Sequence, residues 1–172
     1  MNPTLQSSSE TPSAAAKLDA AVQELTRAAV REVFQEMLTL EMADDASTPL
    51  APEAAGQIVT SVGFVGGATG VIHLNSGIHF AKIITGRMLG LEEAEVEDDM
   101  LNDAFAELGN VVVGWVKSHL SDRGWSCALT IPSLLRGHQL SVEDIADATR
   151  GILGFRTGDH RLLVEMFVRN PK

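Results

Sequence analysis

Glu107 and Asn110 are the residues of this chain best placed to do chemistry. At about 100° of rotation per helical residue they stand one turn apart, and Asp103, Gly114 and Lys117 share their stripe to within about ±40°. A carboxylate accepts hydrogen bonds and carries charge, whereas a carboxamide both accepts and donates. Such a ridge offers positioning and ion pairing. Other chemistries lack their residues. The five histidines never take the i, i+4 spacing of a helical zinc site, and the single cysteine adds no thiolate set. No Gly-x-Ser-x-Gly elbow occurs. Gly63, Gly66, Gly67 and Gly70 cluster, but no Gly-Lys-Ser/Thr ending and no immediate helix follow, so neither phosphate-loop template fits. The acidic run 92–99 lacks a calcium-loop pattern and suits a helix N-terminus instead.

The helix that must position the pair spans Val96 to Leu120. Leu101, Ala104, Phe105, Leu108, Val111, Val112, Trp115 and Val116 form its buried stripe. Gly109 and Gly114 lie in or beside the polar ridge. A glycine inside a helix costs about 1 kcal/mol relative to alanine. Two of them imply close approach, either by another element of the fold or by a docking partner.

The rest of the chain bounds the answer. With 172 residues and 45% hydrophobic content, one domain with a substantial core is expected. A net charge of −10 argues against nucleic acid and against anionic membrane surfaces. No apolar run reaches the roughly 18 residues of a membrane span. No secretory signal pattern opens the chain and the single cysteine forbids an internal disulfide, so a cytoplasmic protein is expected. Residues 1–15, rich in Ser, Thr and Pro, read as a disordered tail ahead of a domain over 16–172.

Within that domain a first helix is expected over Ala16 to Met42 and a loop over Asp44 to Pro52. Two strands, Gln57 to Val65 and Ala68 to Asn75, flank a Gly66-Gly67 turn. Ser76 would cap a second helix ending at Gly90. After the central helix, Trp125, Cys127, Leu129 and Ile131 alternate onto one face of a strand, with Cys127 turned to the core. A Ser-Leu-Leu-Arg-Gly loop follows Pro132, and His138 to Val142 forms a possible strand. Residues 141–149 read as a short helix or a loop. Gly151 to Arg156 and Arg161 to Arg169 close the chain as a hairpin. Strands in hairpins imply an antiparallel sheet with long helices packed against it, an α+β fold. Arg161 to Arg169 is apolar on both faces, so it is central, covered on both sides, or buried against a second subunit.

Asp103, Glu107, Asn110 and Gly114, followed by a strand and then Pro132, resemble the signature of the CheC, CheX and FliY chemotaxis phosphatases. The gap from Asn110 to Pro132 is one residue shorter than the family's. The likeness extends to the first helix around Glu32 to Leu38, the hairpin over Gly63 to Leu74, Arg87 to Gly90, and the Pro132 to Gly137 loop. Only one Glu-x-x-Asn stands in the family's position, since the first helix offers Glu24-x-x-Arg27 and Glu32-x-x-Gln35; a single centre is the CheX-like arrangement.

The resemblance implies hydrolysis of the aspartyl phosphate on a CheY-like response regulator. Asn110 would orient the attacking water, and Glu107 would pair with a lysine of the regulator. Asp103, Gly114, Lys117 and Pro132 would contact the partner. The chain would bind no metal and hold no cofactor of its own, the Mg2+ ion belonging to the regulator. The CheX-like branch also implies a homodimer joined through the sheet. A scaffold of the same fold that binds the regulator without turnover is the alternative.

Overall fold

The computed structural model describes residues 12–47, 50 and 54–169. Most of the expected tail, residues 1–11, lies outside them, as do parts of the expected 44–52 loop. The elements are α1 (Ala14–Leu38), β1 (Ala43–Asp44), β2 (Gln57–Gly66), β3 (Gly70–Gly77) and α2 (Ile78–Leu89). They continue with a 3-10 turn (Glu93–Glu95), α3 (Asp98–Asp122), β4 (Cys127–Leu129), β5 (Ser133–Gly137), β6 (Ala148–Thr157) and β7 (His160–Arg169). The strands form one antiparallel sheet in the order β1-β6-β7-β3-β2-β4, with β5 also paired to β2. This is the expected α+β fold.

Local chemistry sets the element ends. Ser13 accepts a hydrogen bond from the Ala16 N–H at 3.1 Å and opens α1. Gly90 closes α2 at φ 69°, a left-handed value that glycine adopts without strain. Asp98 and Asp99 occupy the first turn of α3, where negative charge complements the helix dipole. Part of the acidic run is spent earlier, in a reciprocal capping box between Glu92 and Glu95.

The helices cover one sheet face. Leu162, Val164, Met166 and Val168 of β7 join Phe34 of α1, Phe80 of α2 and Phe105 of α3 in one core. Leu163, Glu165 and Phe167 point the other way and are buried too. Their cover is an irregular segment, residues 138–147. It is held by the Leu140 N–H on Gln57 Oε1 (3.1 Å) and by Asp144 on Arg150 (3.0 Å). Both apolar faces of β7 are therefore buried within the chain, as a central strand covered on both sides.

The register exposes an internal two-fold. His73 of β3 and Glu165 of β7 pair at the sheet's centre. To one side Gly63 O accepts from Thr130 N, and to the other Gly154 O accepts from Asp45 N, both at 2.9 Å. Each hairpin thus takes its outer strand from the segment after the other half's long helix: β4 and β5 join β2, and β1 joins β6. Each half of the chain, a long helix followed by strands, is therefore one copy of a structural repeat.

Several boundaries differ from expectation. Ser76 belongs to β3 and bonds Gly77 O, so α2 starts on Gly77 without a side-chain cap. The β2–β3 turn spans Gly67 to Thr69, because Ala68 is drawn into the core and Gly66 N–H bonds the Thr69 hydroxyl. Ser133 to Gly137, expected as a loop, is strand β5, stabilised by pairing with β2 rather than by local propensity. Residues 138–142 are the covering segment and not a strand, and 141–147 form no helix.

The far face carries a pH-sensitive group. His73 bonds Ser61 Oγ at 2.6 Å, and burial holds its pKa below the ordinary 6.5, partly offset by Glu165. As pH falls through that ordinary value, the unfolded chain takes up a proton that the native site refuses, so stability should fall with acidity. The denaturant midpoint should drop between about pH 7 and about pH 5. His73→Phe should flatten that slope, and an unchanged slope would place the sensitivity elsewhere.

Candidate functional site

The ridge on α3 is as the helical wheel places it, with one exception. Asp103 and Glu107 are exposed, and Asn110, Gly114 and Lys117 are half-buried. Gly109 is not on the ridge: it is buried, and a Cβ there would meet Thr60 Cγ2 at 2.6 Å. Its missing side chain lets α3 lie close on β2. Val113, outside the expected stripe, is buried as well, while Val111 and Trp115 are only half-buried.

That close approach sets the ridge beside the outer strands. A Cβ on Gly114 would sit 3.9 Å from Leu129 of β4, an ordinary contact. Lys117 lies near Cys127: burial pushes that thiol's pKa up, and the lysine's charge partly counters it. The cysteine is half-buried against the core, as expected.

Pro132 marks a bulge. β4 pairs Leu129 with Phe64 and β5 pairs Ser133 with Ser61. Between them Thr130, Ile131 and Pro132 oppose only Val62 and Gly63 of β2. The extra residue breaks the alternation, so Ile131 is 91% exposed instead of facing the core with Leu129. Thr130 pins the bulge by bonding both Gly63 N–H and Gly63 O, each at 2.9 Å. Proline, which has no N–H to donate, suits a break in the ladder.

Arg136 of β5, absent from the expected set, fastens this corner to the start of α3 through Asp98 (3.2 Å) and Asn102 (3.4 Å). Its only trace in sequence is a positive charge in a supposed loop. The structure thus gathers Glu107, Asn110, Gly114 and Lys117 along one ridge, with Gly114 and Lys117 against β4. Asp103 lies one turn upstream on the same ridge. Pro132 sits in the strand corner, one strand out from the β2 segment on which Gly109 rests. Neither Glu107 nor Asn110 hydrogen-bonds through its side chain to another described residue, so both present their polar groups outward. Among the described residues no group of three His, Cys, Asp or Glu side chains could hold a metal ion.

The internal two-fold supplies a control. Leu18, Ala21, Val22, Leu25, Thr26, Ala29, Val30 and Val33 are buried on α1 at the spacing of Leu101, Ala104, Phe105, Leu108, Gly109, Val112, Val113 and Val116 on α3. That match sets Glu24 against Glu107, Arg27 against Asn110 and Arg31 against Gly114. Each of the three is already engaged. Glu24 pairs with Arg123 at 2.8 Å, and Arg27 and Arg31 both grip Asp44 of β1, at 2.5 and 2.7 Å. Of the two matched positions, only the one on α3 keeps a carboxylate–carboxamide pair free of partners among the described residues.

Known proteins agree with this architecture. The family described as "Chemotaxis phosphatase CheX" matches residues 58–156. The CheY-P phosphatase CheX of Thermotoga maritima is 27% identical over 128 residues, covering 73% of this chain and 82% of that protein. Among solved structures, chemotaxis protein CheX from Vibrio vulnificus superposes with a TM-score of 0.74 at 21% identity, over 86% of this chain and 96% of its own. The Borrelia burgdorferi CheX–CheY–BeF3–Mg+2 complex gives 0.70 at 21% identity, over 87% and 98%. These likenesses, with an antiparallel sheet under long helices and one free Glu-x-x-Asn ridge, place the chain in the chemotaxis phosphatase CheX family.

Proposed function

We propose that this protein hydrolyses the aspartyl phosphate of a CheY-like response regulator, with the α3 ridge as its working face. The observation that carries this reading is the unengaged Glu107–Asn110 pair, beside a family relative named as a CheY-P phosphatase. An acyl phosphate is already a good electrophile. What it lacks is a water held in line with the leaving carboxylate, because phosphoryl transfer depends on positioning and electrostatics more than on covalent help. Asn110 orients that water through a neutral group that does not repel the phosphoryl oxygens. Glu107 pairs with a lysine of the regulator and sets the docking register. Asp103 and Lys117 add peripheral contacts, and Gly114 with the Pro132 corner lets the partner come close. The Mg2+ ion is held by the regulator. The setting is the cytoplasm; no helix among the described residues is long and apolar enough to cross a membrane.

Phosphate release from a phosphorylated receiver domain, with and without catalytic amounts of this protein, tests the reading. Binding without multiple turnovers would leave a scaffold of the same fold. Gly114→Ala probes the close approach. It should raise helix stability by up to about 1 kcal/mol, since Leu129 leaves room, while weakening binding of the regulator. Unchanged binding would remove Gly114 from the interface.

The assembly is a homodimer joined through the sheet. Burial of β7 gives it no support, since that strand is covered within the chain. The support is β6: only Phe155 and Arg156 pair with β1, so among the described residues Ala148 to Leu153 present an open outer edge. Exposed edges of this kind pair with another chain. Light scattering at micromolar concentration should give about twice the 18.4 kDa chain mass. The chain mass itself would sink the dimer and leave the phosphatase standing.

A further inference from the structure

Among the described residues Ile131 is the most exposed of the large apolar side chains. A single exposed apolar residue is ordinary on a protein surface; its fixed backbone and its place set this one apart. Thr130, before it, is tied to both the N–H and the carbonyl of Gly63, and its side chain lies over the open face of that glycine, where a Cβ would meet it at 3.0 Å. Pro132, after it, restricts the backbone of Ile131 to extended conformations. The one-residue slip that would turn Ile131 inward is therefore blocked.

Contacts along α3 give the place. Arg136 of β5 bonds Asp98 and Asn102. Gly109 rests on Thr60, whose partner on β5 is Leu134. Gly114 faces Leu129 of β4. The outer strands thus run back along the helix as the helix runs forward. Ile131, between Leu134 and Leu129, stands at the level of Asn110. The internal two-fold again supplies a control. Leu129 pairs with Phe64 as Asp44 pairs with Phe155, and Thr130 bonds Gly63 as Asp45 bonds Gly154, so Ile131 matches Ala46. Where the helix positions are engaged in ion pairs, the corner carries an exposed alanine; where the carboxylate–carboxamide pair is free, it carries an exposed isoleucine.

We propose that Ile131 is an apolar docking residue of the working face, packing against a nonpolar patch of the receiver domain next to its phosphorylated aspartate. The proposal rests on the phosphatase reading and carries the interface from the α3 ridge across to the strand corner. Two contacts then do separate jobs. Glu107 recognises charge and is screened by salt. Ile131 buries apolar surface and adds affinity that screening does not remove. It touches no reacting atom, so it sets binding and leaves the rate of the bound complex alone. The β6 edge offered for the homodimer lies toward the opposite end of the sheet, so a second copy paired there leaves Ile131 uncovered.

The test uses a receiver domain that this protein dephosphorylates, loaded with beryllofluoride for calorimetry. Ile131→Ala and Ile131→Asn, both neutral, should weaken binding about ten-fold or more, and Ile131→Leu should restore it. Turnover at saturating phosphorylated receiver should stay within about two-fold of the parent, so that KM rises and kcat does not. The loss in Ile131→Ala should be the same at low and at high salt. The side chain is exposed, so melting temperatures should match the parent. Leu135→Asn is the control: it is 60% exposed, pairs with Val59 on the sheet face turned away from the helices, and should leave affinity unchanged. Equal affinity of the parent and Ile131→Asn, an equal loss in Leu135→Asn, or a fall in kcat at unchanged KM would each overturn the docking role. A lower mass for Ile131→Asn than for the parent by light scattering would also overturn it and assign the residue to a contact between copies. All of these leave the phosphatase reading standing. A parent that neither binds nor dephosphorylates any receiver domain would sink that reading, and this contact with it.

Discussion

Asn110→Ala should reduce hydrolysis of a phosphorylated receiver domain by about 100-fold or more, the scale on which misplacing a reacting group is felt. The side chain is half-buried and hydrogen-bonds to no other described residue, so its removal leaves no orphaned partner in the fold. Alanine is also the better helix former. Circular dichroism and the melting temperature should therefore match the parent while turnover collapses, and binding of the regulator should change far less than the rate. Asn110→Gln sharpens the test. It keeps the carboxamide but carries it one methylene further, so a water held for in-line attack would be displaced and activity should remain low. Phosphate release at saturating phosphorylated regulator is the measurement. A variant with turnover near that of the parent would remove Asn110 from the chemistry, whatever the fold resembles.

The ridge was legible because α3 is long and strongly periodic. Leu101, Ala104, Phe105, Leu108, Val112 and Val116 are buried where the 3.6-residue period puts them, which forces Glu107 and Asn110 to the outside. Gly109 was ambiguous on that wheel, since its position lies at the margin of the buried arc. Only Thr60, distant in sequence, decides that the helix needs a glycine there. The outer strands were less legible for the same reason. Ser133 to Gly137 has little strand character of its own and is a strand because Gln57 to Ser61 offers a partner. The bulge at Thr130 to Pro132 leaves no period to read, so Ile131 was assigned to the wrong face. The far face of β7 called for a cover, and its residues left open whether that cover came from the chain itself or from a second subunit. The cover is the polar, irregular stretch 138–147, which carries no periodic signal and is fixed by single contacts such as Leu140 to Gln57. What was local and periodic could be read; what depended on pairing across the chain could not.

Glu107→Lys should abolish binding of the regulator. The carboxylate is exposed, stands one turn before Asn110, and has no ion-pair partner among the described residues, so its charge is available to a lysine on the docking surface. Reversing the charge removes that attraction and sets two ammonium groups together, a juxtaposition that costs several kcal/mol at a protein interface. A loss of about 2 kcal/mol would already weaken binding roughly 30-fold. The fold has no reason to suffer. Glutamate and lysine have similar helix propensities. The introduced ammonium would stand four residues after Asp103, a favourable spacing on a helix. Calorimetry with a receiver domain carrying a beryllofluoride phosphoryl mimic reads the effect, with Glu107→Gln as the intermediate case that removes attraction without adding repulsion. The expected order of affinity is parent, then Gln, then Lys, with the gap narrowing as salt rises, because interactions between exposed charges are screened over about 10 Å at 0.1 M. Equal affinity for all three would move the docking surface off the ridge. A loss of turnover in Glu107→Lys at unchanged affinity would instead assign the carboxylate to the chemistry beside Asn110.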